Sequence, residues 1–151
     1  MADSIRKKIL DSLVSHIEDQ EWVKENSLPV TPGKTRYKIE ELPGLSFFAR
    51  MEESEIDRYG KQQSSMEVEL SYAGVIDRDP EDEKTSILDA IEDVRGEMQK
   101  ALVTATLDDL ADPPVYTGGD IEYPSAEDMA FTVSVLGRII YETESRDPYA
   151  Q

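Results

Sequence analysis

The sequence contains no cysteine, and only one of its 151 residues is histidine. Disulfide bonds, thiolate catalysis and cysteine-ligated zinc are therefore excluded, as is any metal site that needs two histidines. No secretory signal opens the chain, and no apolar run approaches the ~20 residues of a membrane-spanning helix. These absences are compatible with a reducing compartment and predict no membrane partner.

Basic residues are also scarce, with 16 Lys and Arg against 33 Asp and Glu, a net charge of −17 and a pI of about 4.3. Such a surface repels nucleic-acid phosphates, whose binding rests on Lys and Arg. Two uses for the negative charge stay open. It keeps the protein soluble, or it lines a surface past which DNA slides without adhering.

Helical spacing of apolar residues occurs in two segments. The first, over 4–23, can be capped by Asp3 or Ser4, and the second opens with Asp79 as N-cap and Pro80 as first helical residue. Each segment predicts one amphipathic helix. The apolar stripe of the first is Ile5, Ile9, Leu13 and Ile17, and that of the second is Ile87, Ile91, Val94, Met98, Leu102 and Ala105.

Alternating or continuous apolar residues predict strands at 45–51, 66–72 and 130–141, with a short strand at 37–39 and a bulged one around 116–123. Gly137 is a candidate bulge or kink. Between the first two main strands, 52–63 is charged and without period, which predicts a long solvated loop. Residues 144–151 form a polar tail.

This order of elements predicts one α+β domain over residues 1–151. Sequential strands joined by loops favour a mainly antiparallel sheet, with the two amphipathic helices packed on one face. The polar residues that alternate along the strands leave the other face to solvent or a partner.

No catalytic, cofactor or metal site is predicted. Gly33-Lys34-Thr35 resembles the end of a phosphate-binding loop, but Leu28 stands where that loop needs its first glycine. His16 is the single histidine and lies beside a helical stripe, where a packed side chain is expected rather than a catalytic one. Two acidic clusters lack the spacing of a calcium loop; they are Asp77, Asp79, Glu81, Asp82 and Glu83, and Asp108, Asp109 and Asp112.

A small basic strip, Lys34, Arg36 and Lys38, interrupts the acidic surface. It is either ordinary surface or a complementary patch for another acidic subunit.

The layout as a whole resembles the tail terminator family of long-tailed bacteriophages, over residues 5–149. The likeness rests on the N-terminal helix, the Leu-Pro at 42–43 before a buried strand, the long acidic segment, the alternating strand and the second helix. It continues through EDMAFTVSVLGRIIYET at 127–143 and RDPY at 146–149.

The resemblance implies a structural protein without enzymatic activity, made in the host cytoplasm and located in the virion at the head-proximal end of the tail. Its subunits would form a hexameric ring that caps the tail tube, ends tube polymerisation and joins the tail to a head-side connector. DNA would pass through the ring without specific binding. The assembly loop implied by the family falls on Glu52, Glu53, Glu55, Asp57, Arg58 and Tyr59, and a candidate acidic lining of the DNA channel is Asp89, Glu92 and Asp93.

Three other functions stay open from the sequence. A different head–tail completion or neck protein would share these features. An acidic inhibitor that mimics DNA would use the same net charge, and a metal-dependent hydrolase would use Asp and Glu ligands.

Overall fold

A computed structural model describes residues 3–57, 59–75, 83–123 and 130–151, with backbone alone at positions 39 and 83–87. Three helices, α1 (Ile5–Glu18), α2 (Glu21–Glu25) and α3 (Glu83–Val103), accompany five strands. The strands are β1 (Val30–Pro32), β2 (Gly44–Ile56), β3 (Lys61–Val75), β4 (Val115–Glu122) and β5 (Ala130–Glu144). Short 3-10 turns occupy Ile39–Glu41 and Leu107–Asp109.

The five strands form one sheet in the order β1-β2-β3-β5-β4. The pairs β2–β3, β3–β5 and β4–β5 are antiparallel, and only the short β1 runs parallel to its neighbour β2. The predicted α+β class and mainly antiparallel sheet are thus confirmed.

The hydrophobic core lies between one face of the sheet and the helices. Side chains of β3 and β5 alternate between buried apolar residues and half-exposed polar ones, as a sheet covered on one side requires. The buried residues include Met66, Val68 and Leu70 of β3 and Phe131, Val133 and Val135 of β5. Both predicted helices pack on this face, α3 chiefly on β5 and α1 against α3 and β1.

The N-terminal helix begins where the sequence predicts and ends sooner. Ser4 caps α1, since its hydroxyl oxygen accepts a hydrogen bond from the Lys7 N–H at 3.1 Å. The stripe Ile5, Ile9, Leu13 and Ile17 is buried. Helix α1 stops at Glu18 because Gln20 is extended, with ψ of 135°, and α2 starts anew at Glu21. The single helix predicted over 4–23 is therefore wrong at its C-terminal end.

The predicted stripe of α3 is buried at Ile91, Met98 and Leu102, and Val94 packs against the same core. Ala105 is also buried, just beyond the helix end at Val103. The predicted capping residues Asp79 and Pro80 lie outside the described residues.

Two strand predictions need correction. Residues 37–39 form no strand; residues 37 and 38 belong to no helix or strand, and a 3-10 turn follows at Ile39–Glu41. Gly137 is not a bulge, because β5 pairs with β3 without interruption there. The bulge opposite Gly137 lies on β4 between Tyr116 and Gly118, and β2 has another register shift between Ala49 and Met51. A side chain at Gly137 would meet buried Leu102, since an added Cβ would stand 2.7 Å from its Cδ2 atom.

The predicted polar tail is fastened to the domain rather than trailing from it. The Ile5 N–H donates to the Pro148 carbonyl at 2.9 Å, and the Glu144 N–H donates to the Ala150 carbonyl at 2.9 Å. The Gln151 side-chain amide donates to the Leu110 carbonyl at 2.7 Å. These polar residues stay exposed while their backbone is held.

Candidate functional site

The segment predicted as a long assembly loop is a pair of strands. We call residues 52–63 the hairpin arm. Glu52 pairs with Met66, and the ladder continues to Ile56 opposite Gln62. Of the candidate loop residues, Glu52, Glu53 and Glu55 lie in β2.

A tight turn closes the hairpin arm. The Asp57 carboxylate accepts from the Tyr59 N–H at 2.8 Å and from the Lys61 N–H at 3.0 Å. Gly60 takes φ of +78°, a conformation that favours glycine. Asp followed three residues later by Gly is a turn signature, and this pattern in the sequence indicates the turn that a long loop prediction overlooks. Arg58 lies outside the described residues.

The base of the hairpin arm is anchored by polar contacts. Glu52 accepts a hydrogen bond from the Tyr141 hydroxyl and forms an ion pair with Arg6, whose Nε lies 3.4 Å from Oε1. Burial, followed by the hydrogen bond to Glu52, raises the pKa of Tyr141 to about 12. At the tip, Lys61 Nζ lies 2.6 Å from Glu144 Oε1. The arm is thus continuous with the sheet.

The outer edge of the hairpin arm carries no strand in the described part of the chain. Strand β1 pairs only with Leu45–Phe47, and the last bond joins the Gly33 N–H to the Phe47 carbonyl at 2.9 Å. From Phe48 to Ile56 one side of β2 faces outward. Glu53 and Glu55 are exposed there, and neither has an ion pair among the residues described. This is an acidic free edge.

Strand β4 is the edge at the opposite end of the sheet. Val115 is 62% exposed, and Asp120 and Glu122 are exposed beside it. Glu122 accepts from the Thr132 hydroxyl at 3.3 Å, and Asp120 accepts from the N–H of the next residue at 2.9 Å. No cation of the described chain neutralises either carboxylate.

The basic strip lies at the β1–β2 end of the sheet. Lys34 pairs with Glu41 and stands 4.9 Å from the centre of the Tyr37 ring. The Tyr37 hydroxyl shares a hydrogen bond with Ser46 of β2. Arg36 and Lys38 are exposed without an ion pair to any described residue, so they are available to a partner.

The candidate channel lining, Asp89, Glu92 and Asp93, is exposed on the side of α3 away from the sheet. Glu92 lies 3.1 Å from Arg95 Nε, so part of its charge is compensated within the helix. The structure does not bring these residues together with the hairpin arm or the basic strip. Their role as a channel lining stays a prediction.

His16 makes hydrogen bonds to neighbouring polar side chains. Its Nε2 lies 2.9 Å from the Thr104 hydroxyl and 3.1 Å from the Gln20 amide nitrogen.

Nearby, Leu107, Asp108 and Asp109 all have positive φ, between 52° and 58°, a conformation that is costly for non-glycine residues.

Within the described ranges, no three His, Asp or Glu side chains are placed to hold a metal ion. Residues 77–82 lie outside those ranges, as does the side chain of Glu83.

Comparison with known proteins adds no relative. No protein-family model matches the chain, and a search of curated proteins finds no matching sequence. Among the helices described, none has the length and apolar character needed to cross a membrane. Among the described residues, the most distinctive surface features are two sheet edges without a further strand and one basic strip. Exposed edges hydrogen-bond and pack; they supply no reacting group.

Proposed function

We propose that the chain is a structural subunit of a bacteriophage tail that assembles head-to-tail into a ring, as a tail terminator does. In this role the ring, expected to be hexameric, caps the tail tube, ends its polymerisation and joins it to a head-side connector. The proposed location is the head-proximal end of the tail in the virion.

One observation carries this proposal: two unlike surfaces lie at opposite ends of the sheet. The β4 edge is acidic through Asp120 and Glu122, and the strip with Arg36 and Lys38 at the other end is basic. A ring requires two different patches that complement each other, because each subunit contacts the next through a heterologous interface. Opposite charges would set the register of that contact.

The layout of the sequence supports the choice of tail terminator among ring proteins. Capping a polymer needs exposed strands and complementary charge, and it needs no reacting group. The proposal also accounts for a chain with 33 acidic residues, since DNA passing through a ring must not adhere to it.

Charge reversal tests the ring contact. Native mass spectrometry and negative-stain imaging of the wild-type protein should show closed rings. The variant Arg36→Glu/Lys38→Glu should be monomeric, as should Asp120→Lys/Glu122→Lys. A chain with all four substitutions should form rings again, because the charges are exchanged and remain complementary.

The control is Asp89→Lys/Asp93→Lys, which makes a charge change of the same size on the outer side of α3 and should leave the rings intact. Wild-type rings should also bind the ends of purified tail-tube polymers. A wild-type protein that stays monomeric at all concentrations and never binds tube ends would refute the proposed function.

A further inference from the structure

The free edge of β2 begins where β1 leaves the sheet. After Pro32 opposite Phe47, β1 ends and the chain turns at Gly33. The register of β2 shifts between Ala49 and Met51, and the strand is regular from Met51 to Ile56. An extended segment placed beside residues 48–56 would continue the position of β1 and extend the sheet by main-chain hydrogen bonds, chiefly along 51–56. Such strand addition supplies affinity through the backbone and selectivity through alternate side chains.

An apolar groove adjoins the start of this edge on the helix side. It has a volume of about 460 Å³, and its apolar lining comes from Leu10 and Val14 of α1, Pro32 of β1, and Phe47 and Ala49 of β2. Leu10, Val14 and Ala49 are only partly buried by the domain itself. Side chains alternate along a strand, so a segment on the β2 edge would direct alternate residues to the helix side, where those beside Phe47 and Ala49 would reach this groove.

The charge of the β2 edge determines which kind of segment can bind beside it. Glu53, Glu55 and Asp57 are exposed along its outer half, and like charges placed opposite each other on neighbouring strands are destabilising. The β4 edge of a second copy carries Asp120 and Glu122 and so is a poor occupant. A strand rich in Lys or Arg complements this edge.

Edge charges also protect sheets from unwanted pairing. That role explains the acidic row, but it does not explain an apolar groove beside it. We propose that the β2 edge and the groove together bind an extended segment of a partner protein in which apolar residues alternate with Lys or Arg. The inference goes beyond the ring, since a single subunit carries the whole surface.

The probe is a synthetic peptide of about nine residues that alternates Lys and Val, matched in length to the edge. The control peptide has the same sequence with Glu in place of each Lys. The Lys peptide should bind the wild-type protein, more weakly as salt rises, and the Glu peptide should not. Hydrogen exchange should show new protection of backbone amides within 48–56.

Two variants test the two parts of the surface. Glu53→Lys/Glu55→Lys should lower the affinity for the Lys peptide at least about tenfold and allow the Glu peptide to bind. Leu10→Glu places a charge in the apolar groove and should weaken binding of the Lys peptide. Asp89→Lys/Asp93→Lys is the control with an equal change in net charge and should bind as the wild type does. Circular dichroism confirms that each variant is folded.

Equal loss of binding in the α3 control and in Glu53→Lys/Glu55→Lys would mean attraction by net charge alone and would overturn the inference. Protection at β4 instead of 48–56 would do the same. If the wild type self-associates and Glu53→Lys/Glu55→Lys alone abolishes that association, the occupant is a second copy and the proposed partner is wrong. A strict monomer that binds the Lys peptide supports this inference while refuting the ring.

Discussion

Replacement of Tyr141 by Phe tests the contact that joins the hairpin arm to the rest of the sheet. Tyr141 is buried in β5, and its hydroxyl donates to the carboxylate of Glu52 in β2. Phenylalanine retains the ring and its packing. The substitution therefore removes the hydrogen bond to the charged Glu52 and a weaker polar contact of the hydroxyl with Ser64.

A hydrogen bond to a charged group contributes about 1.5–3 kcal/mol to stability. The Glu52 side chain is 32% exposed and keeps Arg6 as a partner, so water and the guanidinium replace part of the loss. We expect Tyr141→Phe to lower the free energy of unfolding at pH 7 by about 1–2 kcal/mol. For a domain of this size the corresponding fall in melting temperature is about 2–8 °C.

The pH dependence of the free energy of unfolding gives a second, independent test. Tyr141 loses its proton near pH 10 in the unfolded chain and near pH 12 in the folded one, since burial and Glu52 raise its pKa to about 12. Between these values the folded state binds more protons, so the free energy of unfolding falls as pH rises. The contribution is complete below pH 10 and is lost as pH rises towards 12.

The assay is urea unfolding of both proteins from pH 8 to pH 11, with Tyr149→Phe as the control because Tyr149 is 50% exposed. The wild-type advantage over Tyr141→Phe should be constant up to about pH 10 and should shrink above it. A difference of zero at pH 8, or one that does not change with pH, would refute the reasoning. Tyr149→Phe should match the wild type throughout.

Two further predictions concern single backbone features and use thermal unfolding. Ser4→Ala removes the cap of α1 and should lower the free energy of unfolding by about 0.5–2 kcal/mol, while Ser4→Asp should be close to the wild type. Equal stability of the wild type and both variants would contradict the capping role. Gly60→Ala introduces a side chain at φ of +78° into open space and should lower the free energy of unfolding by about 1 kcal/mol. Gly96→Ala in α3 should raise it by a similar amount. A Gly60→Ala variant that is more stable than Gly96→Ala would show that the turn is misassigned.

Local patterns predicted most of the core. Helical spacing identified the buried stripe of α1, and alternation identified the buried faces of β3 and β5, because both signals arise from residues that face the helix–sheet interface. The ends of elements were less predictable. Strands β2 and β3 extend well beyond their apolar residues, and polar side chains there carry no period that distinguishes a strand from a loop.

The hairpin arm shows why the candidate surface was only partly predictable. The acidic residues of 52–63 were identified from sequence, but they lie in β2, which pairs with β3. Strand β3 in turn pairs with β5, which is distant in the chain. The groove beside the edge depends on the placement of α1 against β1, and single-sequence patterns do not encode that placement. The basic strip was visible in the sequence, and its position at one end of the sheet was not.

The hydrogen bond between the Ile5 N–H and the Pro148 carbonyl places residues near the two ends of the sequence side by side. A short flexible linker could therefore join residue 151 to residue 3, and the chain could be opened at the turn around Gly60 instead. The circular permutant would keep every strand neighbour and would present both new ends at the tip of the hairpin arm. Fluorescent or affinity labels placed there would stand away from the β4 edge, leaving that surface unobstructed for assembly experiments.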